Sequence, residues 1–246
     1  MNPSRPHLFG LLAGLFLAAG LAFASLTLAS AWTRIAENHT INVTGSARKN
    51  IRSDLAIWQA SFSVEAPTLL DAQKRLQDDH GKVTAWLTVN GLEDVSAAPV
   101  QIQELTTRHK REGEDGYDIE RVGFRLTEFL TIRSQDVDRL PQLASKSSAL
   151  LLQDIAFESG GFSFIYTKAG EAKVEMMAEA TRDARTRAEQ IAASGGTNVK
   201  ELRSARMGVV QINPLYSSAT SWEGNNDTTA IDKTITATVS ATFALR

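Results

Sequence analysis

The sequence predicts an α+β fold of paired antiparallel strands with intervening helices, in the order ββα-ββα-β-α-ββ, preceded by one N-terminal transmembrane helix. Three observations predict it. Residues 8–32 carry no charged side chain. Beyond residue 40, short stretches with a two-residue apolar alternation recur in pairs. Between the pairs, longer stretches place apolar side chains at three- and four-residue steps instead.

The first segment, Leu8 to Trp32, reads LFGLLAGLFLAAGLAFASLTLASAW. As a helix it would be on the order of 36 Å long, enough to cross a hydrocarbon core of roughly 30 Å. Leu8, Leu12, Leu15, Phe16, Leu21, Phe23 and Leu28 supply the membrane-facing surface, and Trp32 is an interfacial aromatic. Gly10, Gly14 and Ala18 recur at a spacing of four, which suits close packing against another helix. Arg5, His7 and the amino terminus precede the segment, while Arg34 is soon offset by Glu37, a modest bias toward an inside amino terminus. Two readings compete: an uncleaved signal-anchor, favoured by the length, and a signal peptide cut at Ala29-Ser30-Ala31. Both deliver the remainder across a membrane. The expected organisation is an inside terminus at 1–7, a span at 8–32, a linker at 33–39 and an exported domain at 40–246.

Thr40 to Ser46 alternates through Ile41 and Val43, and Leu55 to Val64 places Trp58, Ala60, Phe62 and Val64 on one face. Arg48, Lys49, Asn50 and Ser53 between them predict a turn and hence a hairpin. Pro67 opens a helix running to Val89, with Leu69, Ala72, Leu76, Val83 and Trp86 on its apolar face and Asn90-Gly91 as its stop. Strands resume at Val100 to Lys110 and at Ile119 to Arg133. In the second, Val122, Phe124, Leu126, Leu130 and Ile132 oppose Arg125, Thr127, Thr131 and Arg133, the half-wet pattern of an antiparallel sheet. Asp136 begins a helix of about four turns through Val137, Leu140, Leu143 and Leu150 to Leu152, with Pro141 in its first turn. Ile155 to Thr167 is a strand pair or a bent strand broken at Gly160-Gly161. Gly170 to Ser194 is the clearest helix, its stripe of Met177, Ala180, Ala184, Ala188 and Ile191 narrow enough for close approach, with Gly195-Gly196 as its cap. Strands Asn198 to Ile212 and Ile231 to Leu245 close the chain, around a polar, mobile loop at Pro214 to Thr229. The ββα unit recurs in pattern at 40–90 and 100–152.

Composition narrows the chemistry. Lysine and arginine total 26 against 28 aspartate and glutamate, so no basic face for nucleic acid is expected. The absence of cysteine excludes disulfides, thiolate ligands, cysteine nucleophiles and a lipoprotein anchor. His7, His39, His80 and His109 lack metal-ligand spacing; His80 reads as a partly buried or solvated helix residue and His109 as a solvated base. No nucleophile elbow, phosphate loop or dinucleotide fingerprint occurs. Glu112, Glu114, Asp115 and Asp118 form an acidic loop that matches no calcium-binding spacing. The run Arg182 to Arg187 alternates in sign, as solvated helix faces do. No catalytic, cofactor-binding or metal-binding residue is expected.

The order of several soft motifs resembles the SIMPL domain family. They are I-N-V-T-G-S at 41–46, the strand at 55–64, the A-x-x-x-L step from Ala72 to Leu76, F-x-L-T-E-F-L-T-I-R at 124–133 with D-V-D-R-L-P-Q-L at 136–143, and the alanine-rich helix ending in A-A-S-G-G-T-N-V-K-E-L at 192–202. The resemblance covers nearly all of 40–246. It implies a bacterial exported protein without agreed enzymatic activity, linked to envelope and oxidative-stress tolerance, whose periplasmic immunogenic relatives resemble large ring-shaped homo-oligomers. No catalytic residue comes with it. With the apolar segment, it implies a single-pass inner-membrane protein whose C-terminal domain faces the periplasm and whose partner is itself. Set beside this is an exported ligand- or peptide-binding module, soluble after cleavage near Ala31.

Overall fold

The computed structural model describes residues 6–36, 39–110 and 117–246. The first element, α1 (Pro6–Ala36), is followed by β1 (Thr40–Arg52), β2 (Leu55–Ala66), α2 (Leu69–Val89), β3 (Asp94–Ala97), β4 (Gln101–Lys110) and β5 (Tyr117–Ser134). Then come α3 (Arg139–Lys146), a 3-10 helix at Ser147–Gln153, β6 (Ala156–Ile165), α4 (Ala169–Ser194), β7 (Val199–Met207), β8 (Gln211–Pro214) and β9 (Asp232–Leu245). Helices and antiparallel sheets thus make the α+β fold that the periodicities predict, with an apolar helix at the amino terminus. The described chain divides into two compact units, one of residues 48–176 and 209–237, the other of residues up to 47, 177–208 and 238–246.

The larger unit is built on a five-stranded antiparallel sheet in the order β3-β5-β2-β6, with β4 also paired to β5. Trp58, Ala60, Phe62 and Val64 of β2 bury one face, together with Leu126, Leu130 and Ile132 of β5. Helix α2 closes over that face with Ala72, Leu76, Val83 and Leu87. Its start is set by Thr68, whose hydroxyl accepts from the Asp71 N–H, and its end by Gly91 at φ +76, in the left-handed region that glycine tolerates. Trp58 is central: its ring meets Phe157 edge-on at 5.8 Å, and its Nε1 donates to Ser159 Oγ at 3.0 Å. Strand β6 is one bulged strand rather than a pair. The register jumps from Trp58↔Phe162 to Ala60↔Ser159, and a Cβ at Gly160 would stand 2.7 Å from the Gln59 carbonyl oxygen.

The smaller unit contains β7 and the adjoining parts of β1, β9 and α4, its strands ordered β1-β9-β7. Alanine brings α4 close. A Cβ on Gly45 of β1 would stand 2.1 Å from the Ala180 carbonyl oxygen, so only glycine admits this approach. Asp183 ties the contact, accepting from the Ser46 N–H at 2.8 Å and from Arg187 Nε at 2.8 Å.

Several expectations need correction. No turn forms at Arg48 to Asn50: β1 continues to Arg52 because Lys49 reaches Glu175 at 2.8 Å and Arg52 reaches Asp138 at 2.5 Å, so charge here marks a paired strand. Strands β1 and β2 lie in different sheets and make no hairpin, whereas β4 and β5 do, so the two ββα stretches are not equivalent. Strand β3 was not expected. The helix after Asp136 tightens into the 3-10 helix, leaving Leu151 and Leu152 exposed. Leu69 and Val122 are exposed, and Leu87 rather than Trp86 is fully buried on α2. On α4 the stripe is Ala172, Met176, Ala180, Ala184, Ala188 and Ala192, with Met177 half-buried and Ile191 exposed. The strand expected at Asn198 to Ile212 is two, β7 and β8, parted at Gly208, where a Cβ would meet Thr238 Oγ1 at 2.3 Å.

Candidate functional site

Helix α1 is the first candidate. Its stretch Gly10–Ser30 is long and apolar enough to cross a membrane, and none of it is buried. Leu12, Leu15, Phe16, Leu21, Phe23 and Leu28 are all exposed, as is Ala18, and a Cβ at Gly10 or Gly14 would meet no atom of the chain. The side chains of His7, Leu8 and Trp32 lie outside the described residues. A helix hydrophobic on every side has no stable place in water, because each exposed leucine forgoes roughly 2 kcal/mol of burial.

The polar groups of the larger unit form three further arrangements. In the first, the exposed His80 of α2 meets the buried Glu128 of β5, Nδ1 to Oε1 at 2.9 Å. Glu128 is buried on the same face as Leu126 and Leu130. Small clefts of about 280 Å³ open on either side of His80, one against Thr84 and Val95, the other against Gln73 and Pro99. The signal was in the alternation itself: a carboxylate occupies the one place between Leu126 and Leu130 where the apolar face is interrupted.

The second arrangement fixes the loop expected to be mobile. Gln211 accepts at Oε1 from the Ser221 and Asn225 N–H groups, and Asn213 Nδ2 donates to the Ala219 carbonyl. Lys233 is fully buried, donating from Nζ to the carbonyls of Phe164 at 2.6 Å and Asp227 at 2.5 Å. Burial pushes its ammonium below the usual 10.5, opposed by the Asp227 carboxylate 3.8 Å away. For Asp227, burial alone would raise the pKa, but hydrogen bonds from the Thr229 hydroxyl and from the Ala230 and Thr229 N–H groups hold it below 3.8. Lys233 shares the parity of the buried Ile235, Ala237 and Val239, so a lysine on an apolar face was the legible sign.

The third is an open charged cleft of about 530 Å³, lined among others by Glu65, Arg75, Asp78, Asp79, Lys82 and Asp154. Two of its acids are engaged: Arg125 binds Glu65 at 2.5 Å and Lys82 binds Asp79 at 3.1 Å. Elsewhere in the unit Asp54 accepts from the Thr167 N–H and hydroxyl, both at 2.7 Å, which outweighs burial and holds its carboxyl below 3.8.

Among the described residues no three histidine, aspartate or glutamate side chains are grouped to hold a metal ion. His39 lies just before β1, and His109 of β4 stands 3.5 Å from Glu120 of β5, both exposed. The acidic group Glu112, Glu114 and Asp115 falls outside the described residues, and Asp118 lies on β5.

No curated protein matches the chain. A family model for SIMPL, described as a protein of unknown function (DUF541), matches residues 41–243, from the start of β1 almost to the end of β9. That match spans most of the sequence, and the chain belongs to the SIMPL family.

Proposed function

We propose that this is a non-enzymatic protein of the bacterial envelope, anchored in the inner membrane by α1, with its SIMPL domain in the periplasm and associating with copies of itself. The observation that carries the reading is α1, an apolar helix of membrane-spanning length whose described side chains from Gly10 to Ser30 are all exposed. A membrane supplies the burial that the chain does not. The ion pairs of Glu65 and Asp79 in the cleft favour binding over catalysis. The family resemblance supports self-association and a part in envelope or oxidative-stress tolerance.

Membrane fractions washed with alkaline carbonate test the anchor. The protein is expected in the pellet with its amino terminus intact; a soluble protein beginning at Trp32 overturns it. Light scattering of the detergent-extracted protein tests self-association, and a clean monomer at tens of micromolar overturns that part. Peroxide sensitivity in a deletion strain, reversed by the intact gene, tests the stress role.

The open cleft favours a second reading, an exported ligand- or peptide-binding module released by cleavage near Ala31. Its mark is a raised Tm with a small polar ligand or peptide, together with a processed amino terminus.

A further inference from the structure

The edge of the larger sheet is interrupted opposite Glu128. Strand β3 leaves β5 at Ala97↔Leu130 and β4 joins it at Gln101↔Thr127, so residues 98–100 pass only Glu128 and Phe129 of β5. Pro99 in this bulged segment has no N–H to give to the ladder. Facing the gap, α2 presents Gln73, Leu76, Gln77 and His80, which share one face at three- and four-residue steps. Between helix and bulge lies a cleft of about 280 Å³, walled by Leu76, Pro99 and Val100 and lined also by Glu128.

The charge of Glu128 is only partly met. Its side chain is 9% exposed, and Oε1 accepts from His80 Nδ1 at 2.9 Å. Oε2 has no hydrogen-bond partner among the described residues, yet no buried polar atom there is left unsatisfied, so Oε2 stands open to the cleft. A buried carboxylate is costly unless its charge is paired. Neither lysine nor arginine lines this cleft or the one on the other side of His80, which adds Glu93. The exposed side chains of Gln73 and Gln77 make no hydrogen bond among the described residues, and each offers a carbonyl acceptor at the rim. The group that completes such a site is a cation that donates hydrogen bonds. A metal ion fits poorly, because among the described residues no third histidine or carboxylate is grouped with the pair. A primary ammonium fits well: it carries three N–H donors, and an alkyl chain on it matches the apolar walls.

We propose that this cleft binds a primary alkylammonium group, which donates to Glu128 Oε2 and to the rim amides while its alkyl chain lies against Leu76, Pro99 and Val100. A free amine and a lysine side chain of a peptide present this same chemistry. The site uses neither α1 nor the open charged cleft, so it stands or falls separately from the anchor and from self-association.

Calorimetric titration of the full-length protein in mild detergent tests it. The probes are n-butylamine, Nα-acetyllysine amide, n-butanol (no charge) and tetramethylammonium (no N–H donor). At least one of the two primary amines is expected to bind saturably, about tenfold or more tighter than n-butanol and tetramethylammonium. The tighter of the two amines identifies the source as free amine or peptide. Glu128→Gln keeps the size of the side chain and an acceptor for His80 while removing the charge, and is expected to weaken the amine about tenfold or more. Gln77→Lys, on the exposed rim, sets a competing cation at the mouth and is expected to weaken the amine with the Tm unchanged. That variant decides the matter if Glu128→Gln fails to fold. Absence of saturable binding by either amine, equal binding of n-butanol, or an affinity that Gln77→Lys leaves unchanged overturns the inference.

Discussion

The two halves of β5 hold similar side chains in different surroundings. From Phe124 to Ser134 the strand has β2 on one edge and β3 and β4 on the other, and Leu126, Leu130 and Ile132 are buried. From Tyr117 to Gly123 it has β4 alone, and Ile119 and Val122 are exposed. Apolar periodicity is present in both halves, so it specifies a strand without specifying cover. What decides burial is the number of neighbours, which depends on where a distant segment, here β2, comes to an end.

The largest effects belong to the covered half. Trp58→Ala, opposite Ile132 in the register, removes the ring that packs on Phe157 and Phe162 and the partner of Ser159. It is expected to cost about 3–5 kcal/mol, and Leu130→Ala about 2–5 kcal/mol, both measured by urea unfolding. A cost below about 1 kcal/mol at either position would mean that this half is not the core.

Gly123 stands at the join of the two halves. A Cβ there would lie 2.7 Å from the Ala66 carbonyl oxygen and 3.5 Å from the Cα of Pro67, where β2 gives way to the approach to α2. Gly123→Val is expected to cost about 1–3 kcal/mol, because either backbone must shift. Charged residues divide in the same way. Lys233→Met leaves the Phe164 and Asp227 carbonyls without their donor and is expected to cost about 1–3 kcal/mol. Arg108→Met, in the exposed half of the β4–β5 pair, is expected to stay within about 0.5 kcal/mol. Equal costs for the two substitutions would break the comparison.

A smaller, graded effect follows from acid. Asp54 and Asp227, both in the larger unit, have carboxyls held below 3.8 in the fold. Above that value their contribution to stability is complete. As pH falls below it the unfolded chain binds protons that the folded chain resists, and the contribution is lost through the lower folded values. Asp227→Asn is therefore expected to flatten the fall in Tm below pH 3.8, and an unchanged slope would show that its hydrogen bonds do not persist in solution.

How much of this was legible follows the same division. The strands of the covered half, the alanine stripe of α4, the stop at Asn90-Gly91 and the apolar α1 are all written in local spacing, and each is present. The end of β1 was misread because Arg48 to Asn50 resembles turn chemistry until Lys49 meets Glu175 and Arg52 meets Asp138, partners far along the chain. The loop before β9 reads as polar and mobile because nothing local reveals that Gln211, Asn213 and Lys233 hydrogen-bond into it. Glu128 and Lys233 were visible as polar residues on apolar faces, but their partners, His80 and the Phe164 carbonyl, depend on the tertiary fold. The exposure of Tyr117, Ile119 and Val122 could not be identified before the register showed where β2 stops accompanying β5.

The smallest expected effect discriminates most sharply between the two halves. Ile119 is two-thirds exposed, so Ile119→Ser removes little buried area from one chain and should leave the Tm of dilute, monomeric protein almost unchanged. Leu130→Ser in the covered half should lower the Tm at every concentration, since the lost contacts lie within the chain. Leu130 is buried and Ile119 is not, so the Tm of the two proteins separates from wild type in different ways. For Ile119→Ser the loss of stability should stay within about 0.5 kcal/mol, as at other exposed positions. A deficit at position 119 as large as that at position 130 would place that side chain in the core of the single chain, and the two halves of β5 would no longer differ.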